Sequence, residues 1–101
     1  MIDAAVATGV KRFIPSEYGC DTTNPLVSKL PVFGDKVGIR EYLENVAQKS
    51  SLSYSLLVTG PFLDWGIEKG FLLNLAGPVT LYDGGDRRFS ATTLSGVGKG
   101  V

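Results

Sequence analysis

Histidine is absent from the 101 residues, and cysteine occurs once, at Cys20. A lone cysteine cannot close an intramolecular disulfide, and without histidine the usual Cys/His zinc sites lack their ligand set. Cys20 as a nucleophile would also lack an imidazole base, so it reads as an ordinary small side chain in a loop. A charge surplus is missing too: ten Lys and Arg balance ten Asp and Glu. Adjacent basic residues occur only as the pairs Lys11-Arg12 and Arg87-Arg88, so nothing favours direct nucleic-acid contact or an anionic membrane. No apolar run approaches the roughly 20 residues that span a bilayer. The opening Met1-Ile2-Asp3-Ala4 lacks the basic and apolar regions of a secretory signal, and a reducing cytoplasm is the expected location.

What is present suits one small folded domain: 44% hydrophobic and 20% charged residues. Ile2, Ala5, Val6 and Ala7 form a short helical face that stops at Gly9. Lys11 to Ile14 read as a short buried strand closed by Pro15, and residues 16 to 30 as loop. A helix is expected from Leu30 to Lys49, with Pro31 in its first turn and Arg40 and Glu44 paired on its polar side. Ser53 to Val58 is the clearest strand, and its continuous apolar end implies burial on both faces, as in a parallel sheet. Phe62 to Leu75 runs into a second apolar helix. Val79 to Tyr82 and Arg87 to Ala91 flank Asp83-Gly84-Gly85-Asp86, a hairpin turn with too few carboxylates for a calcium loop. Thr92 or Thr93 caps a further helix from Leu94.

Strands alternating with helices build an α/β fold around a parallel sheet. Both ends fall inside elements, so the expectation is a piece of a longer domain. In such sheets ligands sit beyond the carboxyl ends of the strands, which selects Pro15 to Gly19 and Thr59 to Phe62.

The helix Leu30 to Lys49 contains an anomaly. Val32, Ile39, Leu43 and Val46 form one stripe at helical spacing, and position 36 falls in its gap. The residue there is lysine, which is almost never fully buried without a partner. Two readings stay open on position alone. The stem packs and the ammonium escapes to water, or Lys36 points into a cleft where it transfers protons. Trp65 and Phe71 read either as pocket lining or as core and oligomer-facing residues.

Pro15-Ser16-Glu17-Tyr18-Gly19 resembles the P-S-E-F-G segment of the isoflavone reductase-like and NmrA-like family, with Gly9-Val10-Lys11-Arg12-Phe13 similar to its lead-in. Phe33 and Lys36, with Arg40 four residues on, resemble that family's F-x-x-K-x-x-x-R helix start. Tyr54 to Phe62 matches the strand ending in a phenylalanine that faces the nicotinamide, and Asp83 to Asp86 sits at the late hairpin. The resemblance is collinear over nearly the whole chain. It implies an atypical short-chain dehydrogenase/reductase with a partial Rossmann-like fold, in which residues 1–101 are the central-to-C-terminal part of one NAD(P)-binding domain. It further implies NADP as cofactor, with NAD not excluded, and a small aromatic or phenolic substrate. Lys36 is then the general acid/base and a cofactor contact, with Pro15, Ser16, Glu17 and Phe62 near the nicotinamide.

Two features depart from the wider group. Val32 stands four residues before Lys36, where ordinary short-chain dehydrogenases carry tyrosine. No Gly-x-x-Gly-x-x-Gly turn is present to approach a pyrophosphate, and the first βαβ unit is expected to be absent. Gly96, Gly98 and Gly100 are not a substitute, because no strand leads into them at the required spacing. By itself the chain is therefore expected to be inactive. An NAD(P)H-dependent reductase is the favoured reading. A non-catalytic NmrA-like sensor that binds NAD(P) and a protein partner is the other.

Overall fold

Lys11–Ile14 and Ser53–Val58 are expected to be buried strands of a parallel sheet. In the computed structural model, which describes residues 1–101, they pair in parallel over two residues each, but no residue of either run is buried. Arg12–Phe13 (β1) lies beside Ser53–Tyr54 (β2) in register Arg12↔Ser53 and Phe13↔Tyr54. Ser53 N–H donates to the Lys11 carbonyl at 3.0 Å and Ser55 N–H to the Phe13 carbonyl at 3.1 Å. Parallel neighbours need a long crossover, usually a helix. Here it is Gly34–Lys49 (α2), entered through a 3₁₀ turn at Pro31–Phe33 whose first residue is the helix-compatible proline. The chain is α/β and partially Rossmann-like. It divides into one unit of Met1–Glu17 with Asp21–Val58 and another of Tyr18–Cys20 with Thr59–Val101.

In the first unit Ile2–Ala7 (α1) turns Ile2 and Ala5 inward, one helical step apart. The helix ends where Gly9 takes φ +72°, a conformation that glycine adopts without a Cβ penalty. Ile2 and Ala5 join Leu43 of α2 and Leu52 as the core, with Phe13, Val46 and Tyr54 packed against them.

The stripe on α2 differs from expectation. Leu43 is 0% exposed, but Val32 is 78% and Ile39 50% exposed. The less exposed side of the first half carries Lys36, Val37 and Arg40 instead. Arg40 thus faces inward, its side chain only 13% exposed while paired with Glu44 at 2.7 Å. The second half of α2 packs on strands and α1, whereas Lys36 in the first half meets the polar segment after β1. A polar support turns polar residues toward it and releases Val32 and Ile39 to the surface.

Tyr42, on the outer side of α2, donates a hydrogen bond to Asp3 Oδ1. That bond, and then the negative charge of Asp3, hold the phenol above its ordinary ionisation range. A group whose pKa is raised by folding adds stability below its unfolded value and loses it as pH rises through the folded one. Tyr42→Phe is expected to flatten the alkaline fall in thermal midpoint. Midpoints measured across alkaline pH check this.

In the second unit Leu63–Glu68 (α3) is shorter than the expected helix to Leu75. Gly70 at φ +67° follows its C-cap, and the chain turns back so that Leu72 N–H donates to the Gly66 carbonyl at 2.9 Å. The late hairpin is also corrected. The expected turn forms: Gly85 N–H donates to the Tyr82 carbonyl at 2.9 Å across Asp83 at φ 47° and Gly84 at φ 76°, both positive as in a two-residue hairpin turn, but the flanks pair with nothing. Val79, Leu81, Tyr82 and Phe89 are all exposed, and a lone two-stranded hairpin with no face to bury is marginal. Leu94–Gly100 (α4) begins as expected, with Thr93 Oγ1 accepting from Gly96 N–H at 3.1 Å. Gly96, Gly98 and Gly100 all lie inside this helix, so they form no phosphate-binding turn. No helix is long and apolar enough to cross a membrane.

Candidate functional site

Beyond the carboxyl end of β1 the chain alternates in burial: Pro15 in, Ser16 out, Glu17 in. Glu17 N–H donates to the Pro15 carbonyl at 2.9 Å, tightening the bend. Glu17 is only 2% exposed, and its Oε2 accepts from the hydroxyl of Thr22, itself 1% exposed, at 3.1 Å. A buried carboxyl group needs such a partner. The Glu17 main-chain carbonyl is left to accept from the Lys36 ammonium. Lys36 is half-buried and joined to no carboxylate, since the ion pairs of the chain are Arg40–Glu44 and Lys69–Glu68.

An ammonium has three donors and no acceptor. One is taken by the Glu17 carbonyl, and two remain for a hydroxyl, carbonyl or developing anion. Asp21 Oδ1 accepts from the Thr23 hydroxyl at 2.6 Å and the Thr23 N–H at 2.9 Å. These bonds, with a further pull from the Arg40 charge, hold the exposed Asp21 carboxyl below its ordinary range. Lys36 thus meets the main chain at Glu17, and the Arg40 charge acts on Asp21. The outer side of α2 carries a separate depression of about 490 Å³ lined by Gly34, Asp35, Gly38, Ile39 and Tyr42.

Phe62 lies in the second unit, extended and half-buried as the residue capping α3. Its backbone forms a parallel bridge with Thr92. Leu63 N–H donates to the Thr92 carbonyl at 3.0 Å, Thr92 N–H to the Pro61 carbonyl at 3.2 Å, and the Thr92 hydroxyl to the Thr59 carbonyl at 2.7 Å. Thr59 and Gly60 N–H groups both reach the Gly19 carbonyl, at 3.2 and 3.0 Å. This clamp requires glycine at position 60, where φ is +64° and a Cβ would lie 2.2 Å from the Ser90 carbonyl oxygen. Gly60→Ala is expected to destabilise the chain by at least about 1–2 kcal/mol from the left-handed backbone alone, read as a lowered thermal midpoint.

Lys36 and Glu17 are thus brought together, though by the main chain of Glu17 rather than its carboxyl group. Ser16 offers an exposed hydroxyl, whereas Pro15 supports the bend from within. Thr22 was not singled out in the sequence, and Thr92 only as one of two candidate caps for the last helix. Both stand in polar runs that read as loop or cap, and a buried hydroxyl leaves no mark on composition or period.

A family model described as the NmrA-like family matches residues 1–66. The chain belongs to the NmrA-like family. Among curated relatives of this NmrA-like chain, "Oxidoreductase aprR" of Aspergillus flavus is 44% identical, aligned over 100% of the chain and 35% of its own length. "Oxidoreductase poxI" of Penicillium oxalicum is 33% identical over 100% of the chain and 34% of its own length. The chain therefore spans about a third of the length of these relatives. No solved structure matches it.

Proposed function

We propose that these residues supply the nicotinamide end of an NAD(P)H-dependent reductase site, NADPH being the favoured form. The substrate would be a small aromatic or phenolic electrophile, in a cytoplasmic protein of the relatives' length. The observation that supports this most is the Lys36 ammonium, which rests on a neutral carbonyl beyond the carboxyl end of β1 and is neutralised by no carboxylate. The relatives' names, both oxidoreductases, support the same reading. The donor set fits a nicotinamide ribose: two free ammonium N–H groups at Lys36 and the exposed Ser16 hydroxyl. Nothing among the 101 residues fits a pyrophosphate, so that end would be held by the remaining length.

When bound, reduced nicotinamide supplies the hydride. Lys36 binds the ribose or the reacting oxygen and delivers a proton from Nζ as negative charge develops on the substrate. Glu17, through its carbonyl, fixes where that ammonium stands. Ser16 adds a polar contact near the ring. Pro15 acts from below, by shaping the bend.

A second reading, a non-catalytic sensor that binds NAD(P) and a protein partner, draws on Val32. It occupies the place of the usual tyrosine and is exposed, so Lys36 has no phenol to relay through. The readings separate on cofactor oxidation, followed at the dihydronicotinamide absorbance, by a protein of the relatives' length carrying these residues. Steady turnover on any member of a carbonyl and enone panel supports the reductase. Binding with no turnover across the panel sinks it in favour of the sensor.

A further inference from the structure

We infer that Thr22 is a positioning residue for Lys36, acting through Glu17. The chain of contacts is short and continuous. The Thr22 hydroxyl donates to the Glu17 carboxyl group at 3.1 Å, and the Glu17 main chain receives the Lys36 ammonium. Thr22 and Glu17 are 1% and 2% exposed, whereas most residues between them are half-buried or exposed. Two buried polar residues in a largely open segment are expensive unless they satisfy each other. Their contact closes residues 17 to 22 into a loop pinned across its base. The next residues are stiffened as well, since Asp21 receives both the N–H and the hydroxyl of Thr23, and Leu26 N–H donates to Asn24 Oδ1 at 2.9 Å.

The pin matters because of what Lys36 leans on. A lysine has four side-chain torsions, and its ammonium holds one position only if its acceptor does. The acceptor is a carbonyl in a bend with no ladder partner of its own, and the inward-turned carboxyl group of the same residue anchors it. Pro15 fixes the bend before Glu17, and Thr22 fixes it after. With the hydroxyl gone, the Glu17 side chain loses its buried partner and the carbonyl its fixed place.

The test uses the amino groups of the 101-residue chain, acylated in trace amounts and read residue by residue by mass spectrometry. Lys36 is expected to react more slowly than the exposed Lys11, Lys29, Lys49, Lys69 and Lys99. Thr22→Val keeps the β-branched shape without the hydroxyl. It should raise Lys36 labelling by about fivefold, the factor matching one net hydrogen bond, and leave the other lysines unchanged. Thr22→Ser, which keeps the hydroxyl, should restore slow labelling. Equal labelling of Lys36 and the exposed lysines in the parent chain overturns the inference. So does a rise shared by all lysines in Thr22→Val, which would mark a merely structural residue.

The catalytic consequence rests on the reading of Lys36 as proton donor. In a protein of the relatives' length, Thr22→Val should lower kcat and leave the cofactor KM in place. A selective labelling change with kcat unaltered would uphold the positioning and remove the proton-donor reading, so the two fail separately.

Discussion

Replacing Lys36 by alanine in a protein of the relatives' length is expected to lower kcat by about 10²–10⁴-fold, the usual worth of a positioned acid/base. Cofactor affinity should hardly change. The adenine and pyrophosphate contacts would lie outside these residues, so loss of a Lys36–ribose contact would remove a small share of binding, whereas its action on charge that develops in the transition state would be lost entirely. The fold should survive, because the substitution removes a half-buried side chain and one hydrogen bond, a net loss of about 1 kcal/mol. Lys36→Arg gives a sharper form of the same result. Arginine can reach the Glu17 carbonyl but does not release a proton near neutral pH, so binding should persist while turnover falls. Turnover unchanged in Lys36→Ala would remove the proton-transfer role outright.

Leu43→Ala is expected to be the most destabilising single change in the first unit. Leu43 is 0% exposed and sits where α1, α2 and Leu52 meet. Cavity-forming changes of this kind cost about 2–5 kcal/mol, which rivals the whole stability of a domain this small. Loss of the cooperative urea transition, followed by circular dichroism, is the expected outcome. Ile39→Ala serves as the control. Half-exposed on the outer side, it should stay within about 0.5 kcal/mol of the parent. Comparable losses at both positions would contradict the helix orientation described above.

Lys36 is half-buried as the gap in the stripe implied, but the stripe itself is only partly observed. The stripe Val32, Ile39, Leu43, Val46 left a gap at position 36, which pointed to an inward lysine. In the structure Leu43 and Val46 do face the core, but Val32 and Ile39 turn out and Arg40 turns in. Periodicity assumes one apolar support along the whole helix. Here the support changes midway from strand to polar loop. The turn at Asp83–Gly85 was legible because glycine and aspartate carry local backbone preferences. The ladder expected to flank it was not, since pairing depends on a surface to bury its apolar face. Gly70 ended α3 early, which a run of apolar residues to Leu75 concealed. The parallel pairing of β1 with β2 was legible from two strand-like runs separated by a helix, whereas the burial expected of Ser53 to Val58 did not follow, since its residues are half-buried or exposed. Glu17 reads as a site residue in the family's motif, but its inward carboxyl group and its bond to Thr22 depend on folding and leave no trace in spacing.

The most direct measurement is protection of Lys36 from acylation by added reduced dinucleotide, in a protein of the relatives' length carrying these residues. If Lys36 stands at the nicotinamide end of the site, saturating NADPH should slow its labelling selectively, with Lys11, Lys29, Lys49, Lys69 and Lys99 reacting as before. Labelling of Lys36 at the same rate with and without bound cofactor would contradict that placement.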